Sequence, residues 1–105
     1  MGQYAVYTTE SFDKETDKLE KIEQDRINKL FLKLKDNPYT GDPLRYDFFR
    51  EKRINGKRVY YLVYEDLMAV LFVSVSGKKA QQYIIDEVIK DLPLYKSYLI
   101  EKLGS

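Results

Sequence analysis

The hydrophobic pattern changes period along this chain, and each change marks an element. Residues 3–9, Gln-Tyr-Ala-Val-Tyr-Thr-Thr, are β-branched and aromatic and predict a first strand. Ser11 then has the chemistry of a helix N-cap. Asp13 and Glu15 follow it, where the helix dipole favours acids, and Phe12 and Leu19 lie seven apart on one face. Ile27, Leu30, Phe31 and Leu34 recur at helical spacing while Lys29, Lys33 and Lys35 point elsewhere. This second helix is expected to stop at Asn37-Pro38. Both helices must pack on the same face of a sheet, which predicts an antiparallel pair with a break near residues 20–22.

Residues 36–43 are turn chemistry, after which the period changes to that of strands. Asp47 to Ile54 and Lys57 to Glu65 flank Asn55-Gly56. That dipeptide supplies the two positive φ angles of a type I′ turn, so the pair reads as a hairpin. A short turn at residues 65–67 leads into Met68 to Val75, almost wholly apolar, as expected of a central strand covered on both faces. Gly77 ends the sheet. Ile84, Ile85, Val88, Ile89 and Leu92 form the stripe of a helix from Lys79 to about Leu92, which Pro93 is expected to break. Leu94, Tyr95, Tyr98 and Leu99 suggest a last short helix. The predicted class is α+β in the order β-α-α-β-β-β-α: an N-terminal strand, a helical hairpin, an antiparallel three-stranded meander and a C-terminal helix.

Composition narrows the chemistry. The 105 residues fit one domain, and 44% of them are apolar, enough for a core without staples. There is no cysteine and no histidine. Disulfides, thiolate nucleophiles, the usual neutral-pH base and the commonest metal ligands are therefore unavailable, and no metal site is expected. Acid–base work falls to Lys, Arg, Tyr or a carboxylate. No phosphate loop or dinucleotide fingerprint is present, so no cofactor is expected. The longest apolar run, residues 67–73, is too short to span a bilayer, and no signal-like start precedes it, so a cytoplasmic protein with no membrane partner is expected.

Net charge is +1, yet it is unevenly spread: residues 44–79 carry eight Lys/Arg against four Asp/Glu. The hairpin concentrates this excess. With a two-residue turn, Ile54 pairs with Lys57 and Arg53 faces Arg58. Like charges directly opposed cost tenths of a kcal/mol up to ~1, which makes sense if an anion sits between them. Glu51 with Tyr60 and Phe49 with Leu62 share that face. Arg50, Lys52, Val59 and Tyr61 lie on the other. The plain alternative is that both arginines splay into water and bind nothing.

The segment Arg53-Ile-Asn-Gly-Lys-Arg58-Val-Tyr-Tyr resembles the hairpin of the RelE/ParE toxins. The strand at residues 4–9 followed by an amphipathic helix pair, the Asp36-Asn37-Pro38-Tyr39 helix stop, and Phe72-Val-Ser-Val-Ser-Gly-Lys-Lys79 with Tyr83 beyond it are similar to family features in the same order. The resemblance covers about residues 3–90 and implies one RelE-like toxin domain over residues 1–105, with a helical extension at about 94–103.

It further implies a toxin of a type II toxin–antitoxin system, an mRNA endoribonuclease that acts on the ribosome without a metal. The partners implied are a cognate antitoxin, the ribosome and mRNA. The antitoxin is expected on the apolar stripe of the C-terminal helices and the exposed sheet edge. By position, Arg58 would contact the scissile phosphate, Arg53 would be the basic residue of the preceding strand, Lys79 the cation after the last strand, and Tyr83 the family tyrosine. Lys52, Lys57, Lys78 and Arg50 are further phosphate-binding candidates. RNA supplies the nucleophile as its 2′-hydroxyl, so a histidine-free cationic clamp suffices chemically. Glu51, where such ribonucleases often carry a second cation, keeps two alternatives open: a ParE-like inhibitor of DNA gyrase, and a binding member without nuclease activity.

Overall fold

A computed structural model describes residues 3–104. Its elements are β1 (Ala5–Thr8), α1 (Glu10–Asp17), α2 (Lys21–Asp36), β2 (Asp42–Pro43), β3 (Phe49–Ile54), β4 (Lys57–Tyr64), β5 (Ala69–Ser76), α3 (Gln81–Lys90) and α4 (Leu92–Leu103). Single 3-10 turns occupy Glu65–Leu67 and Lys78–Ala80. The strands form one sheet in the order β1-β5-β4-β3-β2, with β1 parallel to β5 and every other pair antiparallel.

The predicted strands and helices all form, and the differences lie at their borders and in one added strand. The cap of α1 is Thr9 rather than Ser11: the Thr9 hydroxyl accepts the Phe12 amide at 3.1 Å, and Ser11 lies within the helix. The two N-terminal helices part at residues 18–20, because Glu20 and Glu23 form a capping box that starts α2 afresh. The two-residue strand β2 was hidden in the turn chemistry of residues 36–43. Its short ladder runs Asp42 opposite Glu51 and Pro43 opposite Arg50. Pro93 does not end a helix. The chain breaks at Asp91, and Pro93 sits in the first turn of α4, where a missing amide hydrogen costs nothing.

Both faces of the sheet are covered. Phe12, Ile27, Leu30 and Leu34 of α1 and α2 pack on Val59, Tyr61, Val63, Val70 and Phe72. Ile85, Val88 and Leu99 of α3 and α4 pack on Phe49, Tyr60, Leu62, Leu71 and Val73. That is why β5 lacks alternation: Ala69 through Val73 are all buried. The α4 helix folds back on its own chain, with Leu99 fully buried and the Tyr98 hydroxyl donating to the Thr8 carbonyl at 3.1 Å.

Candidate functional site

The Asn55-Gly56 turn sets the geometry. Asn55 has φ 51° and Gly56 φ 81°, as a type I′ turn requires. The register then places Arg53 opposite Arg58, Glu51 opposite Tyr60 and Phe49 opposite Leu62. The β4–β5 ladder shifts register between Tyr60 and Tyr61, so Arg58 meets Ser76 rather than Val75. One extra residue in β5 thereby turns its last side chain onto the arginine face. The Ser76 hydroxyl lies 2.8 Å from the Tyr60 hydroxyl.

The expected repulsion between Arg53 and Arg58 is relieved by a residue on their own face. Glu51 lies diagonally across the ladder from Arg58, and its Oε1 accepts Arg58 Nη1 at 3.2 Å and Gln81 Nε2 at 2.7 Å. Both members of this ion pair are buried. Arg53 lies closer to Glu51 in sequence than Arg58 does. The diagonal partner wins because Arg58 lies in a central strand, where a guanidinium needs neutralisation, whereas Arg53 is exposed. Arg58 Nε is buried and has no hydrogen-bond partner. Burial pushes the Tyr60 hydroxyl above its usual pKa, with the nearby Glu51 charge adding to the shift, so it stays protonated at neutral pH.

Lys78 and Lys79 occupy the exposed 3-10 turn between Ser76 and Gln81, two residues tied to this cluster. Tyr83 lies on the first turn of α3, 66% exposed, two residues beyond Gln81. The hairpin end of the sheet thus holds Arg53 and a partly neutralised Arg58, with Lys78 and Lys79 on the turn that follows β5 and Tyr83 on the first turn of α3.

The other candidates lie elsewhere. Arg50, Lys52 and Lys57 point to the α1/α2 face, as strand alternation demands. Arg50 is buried and committed internally. Its Nε and Nη2 donate to the Gly41 carbonyl at 3.0 and 2.8 Å, and Nη1 donates to the Asp47 carbonyl at 2.8 Å and carboxylate at 3.1 Å. It also covers the Tyr39 ring at 5.1 Å. This arginine fastens the 41–47 loop to the sheet. Gln81 was not singled out from sequence: nothing in its spacing signals that it reaches Glu51, thirty residues away.

A cleft of about 690 Å3 opens at the opposite end of the sheet, between Phe48, Val63, Leu92 and Pro93. Acids on its rim are already paired, Asp47 with Arg50 and Asp66 with Lys96. Among the described residues no cluster of acidic, His or Cys side chains is arranged to hold a metal, and no helix is long and apolar enough to cross a membrane.

The architecture is that of a small α+β domain with one five-stranded sheet covered on both faces. More narrowly, the chain has the RelE fold. It superposes on E. coli toxin RelE in the free state, a double arginine-to-alanine mutant, with a TM-score of 0.72 and 18% identity, covering 86% of this chain and 97% of that one. The RelBE2 toxin–antitoxin complex of Mycobacterium tuberculosis gives a TM-score of 0.63 at 20% identity over 72% and 99% of the two chains. The archaeal RelE–RelB complex of Pyrococcus horikoshii gives 0.62 at 17% identity over 72% and 96%. No protein-family model matches the chain, and no curated protein matches it in sequence.

Proposed function

We propose that this chain is the toxin of a type II toxin–antitoxin pair and cleaves mRNA on the ribosome. The observation that carries the reading is Arg58: a buried guanidinium whose Nε has no partner, at the sheet end where Arg53, Lys78 and Lys79 also lie. An anion that draws the Arg58 head outward would satisfy that donor. A scissile phosphate brings one, together with a 2′-hydroxyl nucleophile, so the protein need only orient the strand and stabilise charge. Glu51 and Gln81 fix the Arg58 head. Arg53 and Lys79 add positive charge, and Tyr83 is free to stack on a base or pass a proton to the leaving oxygen. Lys78 is a further phosphate contact. An antitoxin partner is supported by the fold, which the M. tuberculosis and P. horikoshii proteins carry in complexes with their antitoxins.

Purified protein added to translating ribosomes is expected to cut mRNA, and Lys79→Ala and Tyr83→Phe are expected to slow the cut without lowering stability. Intact mRNA at saturating protein rules the reading out.

A second reading, a partner-binding protein without nuclease activity, is favoured by one observation: the Glu51 carboxylate already neutralises Arg58. Growth arrest on induced expression separates the two. Arrest with mRNA cleavage belongs to the first, and no arrest with expression confirmed belongs to the second.

A further inference from the structure

A second cationic site lies around the sheet edge from Arg58. Arg26, Lys29 and Lys33 follow one another at helical spacing on α2, and Lys52 and Arg53 face them from the end of β3. Together they wall a groove of about 250 Å3 whose floor is Leu30 and Ile54, both part of the core below. Among the described residues none of these five cations has an ion pair or hydrogen bond, although six other Lys or Arg residues do pair with carboxylates. Five unpaired cations so close together repel one another, and a bound polyanion relieves that repulsion.

The wall is shaped for a polymer rather than a single anion. Arg26 to Lys33 spans about 10 Å of helix at 1.5 Å per residue, room for more than one backbone phosphate. β2 covers β3 only at Arg50 and Glu51, so the β3 edge beyond them is open. Arg53 belongs to both regions: it lines the groove and stands opposite Arg58 in the ladder. A strand of continuous charge can therefore run from the Arg58 cluster over the β3 tip and into the groove.

The geometry points to this groove as a tracking site for the phosphodiester backbone of single-stranded RNA, binding it outside the reacting position. This inference rests on the RNA-directed reading of the Arg58 end. No aromatic side chain lines the groove, so it lacks a stacking platform and reads charge rather than sequence. An acidic segment of a partner protein is the competing occupant. Continuity with the Arg58 cluster favours RNA.

The test uses the full chain and a 2′-O-methyl RNA oligonucleotide of mixed sequence, which cannot be cleaved through its 2′ position, so binding is read apart from any cut. Fluorescence anisotropy across a salt series gives the slope of log affinity against log salt. Each lost phosphate contact lowers a single-strand slope by about 0.7. Lys29→Gln and Lys33→Gln are each expected to lower it by about that amount, and the double variant by about twice as much, with roughly tenfold or greater loss of affinity in 0.1 M salt. Both lysines are exposed, and an unchanged denaturation midpoint checks folding. An unaltered slope and affinity in the double variant overturn the proposal. Absence of oligonucleotide binding by the wild-type chain overturns it as well. Tighter, groove-dependent binding of a polyglutamate peptide overturns it in favour of an acidic protein partner. If the lysine variants lose slope while ribosomal mRNA stays intact, the groove stands and the nuclease reading fails. If mRNA is cut and the variants bind as wild type, the reverse holds.

Discussion

Glu51 and Arg58 meet diagonally across the β3–β4 ladder at 3.2 Å, with side chains 5% and 8% exposed. Removing one partner strands a buried charge, which typically costs about 3–5 kcal/mol. Arg58→Ala is expected to lose stability in that range in urea denaturation, whereas the double change Glu51→Leu with Arg58→Met recovers most of it. Under the nuclease reading, any loss of cleavage in Arg58→Ala must therefore be measured at a temperature where the variant is shown to be folded.

The same pair gives a sign for the chemistry. Under the nuclease reading, Glu51→Gln keeps a side-chain oxygen near Arg58 but removes the negative charge beside the incoming phosphate. Affinity for an RNA strand is expected to rise several-fold, read by anisotropy on the folded variant. A fall in affinity would show that Glu51 orients Arg58 more than it opposes the phosphate.

Arg50 is expected to behave as a structural residue. Arg50→Lys keeps the charge but cannot reproduce the forked contacts to Gly41 and Asp47, so thermal stability drops while RNA affinity holds. A variant that keeps its melting temperature and loses RNA binding contradicts this.

Gly41 packs against the chain it is tied to. Its amide donates to the Tyr61 hydroxyl at 2.8 Å, and a methyl group there would strike the Glu51 carbonyl and that hydroxyl. Backbone on one side and a core side chain on the other leave little room to yield. Gly41→Ala is expected to cost about 1–3 kcal/mol, as overpacking generally does, measured by chemical denaturation.

Stability should fall in alkali, because burial raises several tyrosine pKa values. Tyr64 is pushed up to about 12 by burial. Tyr39, Tyr60, Tyr61 and Tyr95 are raised as well, in each case first by burial. Groups raised on folding hold their proton longer when native, so their contribution is complete below the unfolded tyrosine value near 10. It is lost as pH climbs from there through the folded values. Denaturation midpoints measured from pH 9 to 12 should decline, and Tyr64→Phe should decline less steeply.

Much of this was legible before the structure. Asn55-Gly56 carries its turn type in two residues, and turn length fixes register, so the Arg53–Arg58 opposition followed from counting. The apolar run at residues 68–75 carried its own two-sided burial. What was hidden depended on contacts distant in sequence. Glu51 chose Arg58 over nearer cations because burial in a central strand, not adjacency, makes neutralisation necessary. Arg50 alternates onto the face that α1 and α2 cover, and only the folded 41–47 loop offers it acceptors. A two-residue strand containing proline has no period to detect, so β2 read as turn. Pro93 carries opposite meanings at the end and the beginning of a helix, and the sequence pattern favoured the wrong one.

The parallel pairing of β1 with β5 has a consequence for how the protein is made. Ala5 leaves the ribosome early and has its ladder partner, Ala69, far behind it. Long-range parallel pairing forms slowly, since the chain between must be ordered first. During vectorial synthesis β1 has no neighbour until nearly the whole sheet has emerged. Chains arrested before Ser76 clears the exit tunnel should remain protease-sensitive, and resistance should appear abruptly a short length later. On this ordering, any activity that needs the folded sheet arrives only after β5 has emerged.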